Sequence, residues 1–236
     1  MTTKHFGVVV RQGPKYGHNI SRQTYGTINK RNSHYFPKEA DPDLWDKQAS
    51  YFEDESHLYY SDDWCTKHQK DVLENFDINM DRFAELDEIE FESHLTSVIS
   101  KYPKMVEVTD LNEWDGVSAI YVMVLDRFLQ VYVGIAESSR GLKGRIRDHW
   151  STNKQFDRLL FGSVEQSKLS IDSFRALDTT RIFALETNKA EKFENSVLEL
   201  FPSKFVLNRV AGGRPNNETD LLRLARQRLI HQILED

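Results

Sequence analysis

The sequence predicts an α+β fold in which a small, largely antiparallel sheet of three or more strands is flanked by helices. Two apolar segments on either side of a polar turn, within residues 118–136, have the length and composition of a β-hairpin, and a third strand-like segment begins at Arg181. Apolar residues at helical spacing precede, separate and follow these strands. The chain of 236 residues, 39% of them hydrophobic, is long enough to form a packed core.

Charge is distributed unevenly along the N-terminal part of the chain. Residues 1–38 contain seven Lys or Arg and no acidic residue, whereas residues 39–95 contain eighteen acidic and four basic residues. The net charge of −6 therefore hides a basic arm that is followed by an acidic segment. Glycine, asparagine and aromatic residues are frequent in the arm, which predicts loops and short strands, one of them at Val8–Val10.

Both charged segments have two interpretations. The arm is either a solvated tail or a segment that contacts phosphates and bases, because aromatic residues are interleaved with its cations. In the second case we expect it to bind DNA through four residues: Lys15, Arg22, Lys30 and Arg31. The acidic segment is most simply a solvated helix face, and the alternative is that it shields the basic arm until DNA competes.

The acidic segment and the residues after it have helical periodicity. From Trp64 to Phe76, large side chains recur four positions apart, and apolar spacing continues to Pro103, so we expect two or three helices over residues 63–101. The segment Asn112–Gly116 consists mainly of turn-forming residues and marks a domain boundary near residue 115.

The residues after this boundary form the predicted hairpin. Its strands are Ala119–Leu125 and Gln130–Ile135. A turn centred after Asp126 places Tyr121 directly opposite Tyr132, and directly opposed residues in a hairpin point to the same face.

A short helix and a third strand follow the hairpin. The segment Gly141–Trp150 has apolar residues four positions apart, and Arg145 and His149 lie one turn apart on the neighbouring face. The segment Arg181–Glu186 has the composition of a strand.

The next predicted helix contains an acidic residue beside its apolar face. We expect this helix to begin at a capping box formed by Asn188 and Glu191 and to continue until Pro202. Glu194 lies at the edge of the apolar face, so its carboxylate is expected to be partly buried and to have a partner or a metal ion. A further amphipathic helix is predicted over residues 212–236.

The order of these polar residues resembles the GIY-YIG nuclease superfamily. The family's pattern is a strand with Gly-Ile-Tyr, a strand with Tyr-Ile-Gly, a helix with Arg and His four residues apart, a helix with Glu, and a later Asn. The matching positions here are Ala119-Ile120-Tyr121, Tyr132-Val133-Gly134, Arg145, His149, Glu194 and Asn208. The chain departs from the pattern at Ala119, where the family has glycine, and in a longer segment, Ser151–Thr180, that we expect to add substrate contacts.

The resemblance covers residues from about 117 to 211 and implies three parts. Residues 1–115 would be a basic arm and an acidic helical region that together recognise DNA. Residues 116–211 would be the nuclease domain, and residues 212–236 a C-terminal amphipathic helix.

The resemblance also implies a metal-dependent DNA endonuclease that hydrolyses phosphodiester bonds, similar to the sequence-specific restriction enzymes of this family. Glu194 would bind Mg²⁺ together with water and phosphate oxygens, and Mn²⁺ would substitute. Arg145 would stabilise negative charge on the phosphate, Arg147 would contact DNA, and Asn208 would support the site through side-chain hydrogen bonds. Cleavage of both DNA strands with one active site per chain favours a homodimer.

The expected chemistry involves the two tyrosines. Tyr121 would orient or deprotonate the attacking water, Tyr132 would hold the phosphate, and His149 would hydrogen-bond one tyrosine or relay its proton. The sequence leaves open which tyrosine is the base. Because a phenol is a weak base at neutral pH, its anion needs nearby cations, and the candidates are Lys143, Arg145 and the metal ion.

Two other functions are consistent with the sequence. One is a phage or mobile-element nuclease that nicks DNA, and the other is a DNA-binding or interaction protein that has the fold without the chemistry. The single cysteine excludes a disulfide framework and a zinc module built on thiolates. The longest apolar run is too short for a membrane span and the N-terminus does not resemble a signal peptide, so we expect a cytoplasmic protein.

Overall fold

The computed structural model describes residues 2–10, 17–27, 29–32, 37–151 and 164–208, which form an α+β fold as predicted. The strands are β1 (Lys4–His5), β2 (Val8–Val9), β3 (Val106–Glu107), β4 (Ala119–Leu125), β5 (Gln130–Ala136) and β6 (Arg181–Glu186). The helices are α1 (Arg22–Tyr25), α2 (Pro42–Gln48), α3 (Asp62–Ala84), α4 (Glu88–Ser100), α5 (Gly141–Ser151) and α6 (Ala190–Leu198). Within these ranges, no helix combines the length and the apolar composition that a membrane span requires.

Most of the predicted elements are confirmed. The helices expected over residues 63–101 are α3 and α4, and the expected strand near Val8 is β2. The strand predicted at Arg181–Glu186 has the same bounds in the structure. The helix predicted over residues 212–236 lies outside the described residues.

Packing divides the chain into two compact units. The first unit comprises Met1–Ser21, Asn79–Thr152 and Leu169–Arg214, and the second comprises Arg22–Ile78, Asn153–Lys168 and Pro215–Asp236. Residues 1–115 are thus divided between the two units. All the polar positions that match the family pattern belong to the first unit.

The first unit is built around a four-stranded antiparallel sheet with the strand order β3-β6-β4-β5. All seven residues of β4 are buried, so both faces of this strand contact protein. Ile120, Val122 and Val124 belong to the hydrophobic core that also contains residues of α4 and α6. Tyr121 alternates with these residues and therefore points to the opposite face of the sheet.

The register of the β4–β5 hairpin differs from the predicted one. Tyr121 lies opposite Gly134, and Tyr132 lies opposite Met123. The prediction that the two tyrosines are directly opposed is therefore wrong. They still share one face, because the register differs by an even number of residues and side chains alternate along a strand.

A longer turn explains the difference in register. Residues Asp126–Phe128 form a 3₁₀ turn, and Leu129 follows in the left-handed conformation with φ 49° and ψ 46°. The backbone N–H of Asp126 donates to Oγ1 of Thr180 at 3.0 Å, and the Asp126 carboxylate pairs with Arg181. These contacts come from a distant part of the chain, so the sequence around the turn does not show them.

Helix α6 is shorter than predicted. Its N-cap is Lys189, whose side chain makes no capping bond, so the predicted cap at Asn188 is wrong. The backbone N–H of Lys189 donates instead to Oγ1 of Thr187 at 3.1 Å, which forms a turn before the helix begins. The apolar face of the helix is confirmed, since Ala190 and Val197 lie in the core of the first unit.

The second unit contains a stack of aromatic rings. Six rings follow one another in the order Trp45, His57, Phe52, Tyr60, Trp64 and His68. The centroids of neighbouring rings are between 3.8 and 4.8 Å apart, and their planes lie within 23° of each other. Stacked rings bury a large apolar area with few rotatable bonds, so this acidic part of the chain has an ordered core.

Candidate active site

Tyr121 lies at the centre of the candidate site. Its side chain is fully buried, and its ring covers Gly134 on the neighbouring strand. A β-carbon at position 134 would lie 2.5 Å from the hydroxyl oxygen of Tyr121 and 2.8 Å from Cε1 of Tyr132. Glycine at this position therefore leaves the space that the tyrosine rings occupy. The centroids of the two rings are 6.3 Å apart.

Helix α5 brings Arg145 and His149 to the same phenol. The hydroxyl oxygen of Tyr121 lies 2.8 Å from Nε2 of His149. The charge of Arg145 acts on the side chains of both Tyr121 and Tyr132, so its guanidinium lies close to both phenols. The prediction that Arg145 and His149 share one face of the helix is confirmed, because residues four apart lie one turn apart.

Asp172 is a further polar residue of the site that no motif in the sequence predicts. Its Oδ1 atom lies 2.6 Å from Nδ1 of His149, so the histidine contacts Tyr121 through one ring nitrogen and Asp172 through the other. Asp172 is in a 3₁₀ turn, Ile171–Ser173, within the segment that is longer than the family pattern. No periodic pattern marks this turn, and the position of Asp172 in the longer segment was the one signal in the sequence.

Burial keeps Tyr121 protonated. Burial raises the pKa of Tyr121 well above its ordinary value of 10, and the neighbouring phenol of Tyr132 raises the pKa further. The charge of Arg145 lowers the pKa and so favours the phenolate, as expected for a nearby cation. Burial outweighs this effect, so Tyr121 is a neutral hydrogen-bonding group at neutral pH.

Arg145 keeps its charge in this environment. Burial lowers its pKa, but the interactions of Arg145 with Tyr121 and Tyr132 outweigh burial, so the pKa lies above its ordinary value. Arg145 and Tyr132 are partly exposed, whereas Tyr121 and His149 are buried. A phosphate that arrives from solvent would therefore meet Arg145 and Tyr132 first.

Glu194 is a buried carboxylate close to the tyrosines. Its residue is 6% exposed, which confirms the predicted burial. After burial and Tyr132, the negative charge of Glu194 is a further cause of the raised pKa of Tyr121. The described residues contain no cluster of three or more side chains that bind metals. A single carboxylate fits Mg²⁺, because this ion keeps several waters and needs only one or two protein carboxylates.

Asn208 ties the chain after α6 to strand β5. Its Nδ2 donates to the carbonyl oxygen of Val133 at 2.8 Å, and its Oδ1 accepts the backbone N–H of Val133 at 3.0 Å. The backbone N–H of Leu207 donates to the carbonyl oxygen of Val131 at 2.9 Å. The predicted supporting hydrogen bonds of Asn208 are thus confirmed, and they fix the residue between Tyr132 and Gly134.

The other predicted site residues lie in different surroundings. Lys143 forms an ion pair with Asp115, with 2.9 Å between Nζ and Oδ2. Arg147 is exposed on α5, and Arg31 is exposed in the second unit. Lys15 lies outside the described residues.

Two predicted DNA-binding residues are paired with acidic side chains of the second unit. Nε of Arg22 lies 2.8 Å from the carboxylate of Asp77. Nζ of Lys30 lies 2.6 Å from the carboxylate of Asp62 and 3.3 Å from that of Glu53. Basic residues of the arm therefore contact acidic residues of the following segment, and both interpretations of the acidic segment are compatible with these exposed pairs.

Comparisons with protein-family models, with curated proteins and with solved structures found no match for this chain. The functional interpretation therefore depends on the geometry and chemistry of the residues described above.

Proposed function

We propose that the chain is a metal-dependent DNA endonuclease of the GIY-YIG type that hydrolyses phosphodiester bonds. The observation that most directly supports this proposal is that the guanidinium of Arg145 lies close to two phenols, Tyr121 and Tyr132, which share one sheet face. Hydrolysis of a phosphodiester needs a cation for the charge that develops on the phosphate and a polar group that orients the attacking water. Arg145 and the phenols supply both.

The two tyrosines have different roles in this proposal. Tyr132 is partly exposed, so it contacts the attacking water or the phosphate. Tyr121 is fully buried and protonated, so it holds Arg145 in place and connects it to His149. Arg145 binds phosphate oxygens with its planar set of N–H donors, which suits the two oxygens of a phosphodiester.

Glu194 would be the protein ligand for Mg²⁺, and Mn²⁺ would substitute. A bound divalent cation would polarise a phosphate oxygen and offset negative charge in the transition state. The carboxylate of Glu194 is buried, and a charge with little solvent around it attracts a cation more strongly than an exposed one.

The proposed substrate is double-stranded DNA that is cut at specific sites by a homodimer. One site per chain cuts one strand, so two copies related by a twofold axis would cut both strands. A chain that acts alone would leave nicks, as the mobile-element alternative requires.

The test is cleavage of supercoiled plasmid by the wild-type protein with Mg²⁺, with Mn²⁺ and with a chelator. We expect metal-dependent cleavage that falls by on the order of 100-fold or more in Glu194→Gln and in Arg145→Ala. Matched controls are Glu199→Gln, an exposed acid at the end of the same helix, and Arg140→Ala, an exposed arginine before α5. Both controls should retain wild-type activity.

The products separate the alternatives. Linear DNA with discrete fragments supports the double-strand endonuclease, and open circles that accumulate without linear product support a nicking enzyme. Plasmid that is bound but stays intact under all three metal conditions would overturn the nuclease proposal and support the DNA-binding alternative.

A further inference from the structure

We infer that Asp172 is a positioning residue of this site, which holds His149 in the tautomer that accepts the hydroxyl proton of Tyr121 and thereby fixes this phenol beside Arg145. The catalytic consequence of this inference rests on the proposed nuclease function. The direction of the hydrogen bonds rests on the geometry alone. The hydrogen-bond directions and their catalytic consequence can therefore be tested separately.

The chemistry of the end groups sets the direction of each hydrogen bond. A carboxylate only accepts, so Nδ1 of His149 carries a hydrogen and donates it to Oδ1 of Asp172, with 2.6 Å between the nitrogen and the oxygen. The series ends at Tyr121, whose hydroxyl hydrogen is directed to Nε2 of His149, 2.8 Å away, because a neutral imidazole with its hydrogen on Nδ1 can only accept at Nε2.

The middle group of the series matches both ends. A neutral imidazole with its hydrogen on Nδ1 has a lone pair on Nε2, and this lone pair accepts the hydrogen of Tyr121. The series from Asp172 through His149 to Tyr121 therefore has one consistent direction. His149 is 2% exposed and Tyr121 is fully buried, so water does not compete for these inner bonds.

Without Asp172 the other tautomer of His149 becomes accessible. A hydrogen on Nε2 would point at the hydroxyl oxygen of Tyr121. The hydroxyl hydrogen of Tyr121 would then lose its acceptor in a buried position, which is unfavourable. The phenol would have to move, and its position beside Arg145 would change.

Asp172 belongs to the segment in which this chain departs from the family pattern. Its turn is held locally, because the side chain of Ser170 accepts the backbone N–H of Asp172 at 3.3 Å. The Asp172 side chain is 41% exposed, so it can be replaced without disturbing the core. A substitution at this position therefore changes the histidine's partner rather than the packing.

The first test measures the ¹⁵N NMR chemical shifts of the two ring nitrogens of His149 in the full chain without DNA or metal. The signal is identified by its loss in His149→Gln. We expect one tautomer with hydrogen on Nδ1 in the wild type and a mixture of tautomers in Asp172→Ala. Hydrogen on Nε2 in the wild type, or an unchanged single tautomer in Asp172→Ala, would overturn the inference, whatever the protein does to DNA.

The second test measures cleavage kinetics of the same variants. We expect Asp172→Ala to lower kcat by on the order of 10- to 100-fold with little change in KM, and Asp172→Glu to restore part of the loss. Asp148→Asn is the matched control, because it removes an acid beside His149 that pairs with Arg140. A wild-type protein that shows the expected tautomer but cuts no DNA would refute the nuclease proposal and leave the positioning geometry intact. Wild-type kcat in Asp172→Ala would overturn the catalytic part of the inference.

Discussion

Gly134 lies directly opposite Tyr121 in the hairpin, and the ring of Tyr121 fills the space that a side chain at position 134 would need. The glycine of the second motif is therefore a steric requirement of the tyrosine in the first. Tyr121 on β4 and Gly134 on β5 are therefore linked by one steric contact and do not have independent roles.

We predict that Gly134→Ala lowers both stability and activity. The new β-carbon would lie 2.5 Å from the hydroxyl oxygen of Tyr121, and the β-carbon cannot move without the backbone, so the ring must shift. We expect the free energy of unfolding in urea to fall by about 1–3 kcal/mol. Cleavage should fall by on the order of 100-fold, because Tyr121 would leave His149 and Arg145.

The control for this substitution is Gly144→Ala in α5. Its β-carbon would meet only Cβ of Arg140, at 3.1 Å, and alanine favours a helix. We expect a change in stability within about 1 kcal/mol and full activity. Equal behaviour of the two variants would show that the contact between Gly134 and Tyr121 is not important.

We predict that Asn208→Ala destabilises the sheet at β5. The substitution removes the two hydrogen bonds to Val133 and leaves its backbone N–H and carbonyl without these partners. The free energy of unfolding should fall by about 1–3 kcal/mol, as measured by chemical denaturation. Asn195→Ala, at an exposed position of α6, should leave stability nearly unchanged. A similar loss in both variants would contradict a specific role for the amide of Asn208.

We predict that acid destabilises the protein through His57. Its ring is stacked between Trp45, with centroids 3.8 Å apart, and Phe52, with centroids 4.3 Å apart. Burial lowers the pKa of His57 below its ordinary value of 6.5. The unfolded chain therefore binds a proton at a higher pH than the folded protein, so stability falls as the pH drops below about 6.5.

Thermal unfolding at a series of pH values from about 8 to 5 measures this effect. His57→Phe keeps a flat ring in the stack and removes the titrating group, so the decrease in Tm below pH 6.5 should become smaller. His94→Gln is the control, because the side chain of His94 is 40% exposed on α4. An acid-induced decrease that His57→Phe leaves unchanged would assign the effect to other groups.

We predict that Asp77→Asn strengthens DNA binding. Asp77 pairs with Arg22, and the two side chains are 48% and 55% exposed, so the pair contributes little to stability and its loss frees Arg22 for phosphate. Arg22→Ala should weaken binding and lower the slope of log affinity against log salt by about 1. Fluorescence anisotropy in chelator, at about 50 to 200 mM salt, measures both effects.

Asp46→Asn is the matched control for Asp77→Asn. Asp46 pairs with Lys38, which is not one of the residues expected to bind DNA, so its affinity should remain close to that of the wild type. Unchanged affinity in Asp77→Asn would instead support the simpler interpretation, in which the acidic segment is a solvated helix face.

Features that depend on one short segment were predictable from the sequence, whereas features that depend on distant contacts were not. The bounds of β4, the third strand and the shared helix face of Arg145 and His149 were predictable, because each depends on a period within one short segment. The hairpin register was not, because it depends on the left-handed Leu129 and on a contact between Asp126 and Thr180.

The candidate site shows the same limit. A contact of His149 with one tyrosine was expected from the resemblance to the GIY-YIG pattern. The contact of His149 with Asp172 joins residues 23 positions apart, and no periodic pattern predicts it. The burial of Tyr121 was also not evident, because an apolar strand with one polar hydroxyl does not show which face meets solvent.

The hydrogen bonds that Leu207 and Asn208 make with β5 also constrain how two copies of the chain can associate. A strand at the edge of a sheet normally offers backbone N–H and carbonyl groups that can pair with a strand from another molecule. At β5 the carbonyl of Val131 and both backbone groups of Val133 are already bonded within the chain. A second copy of the chain therefore cannot extend the sheet through these groups of β5.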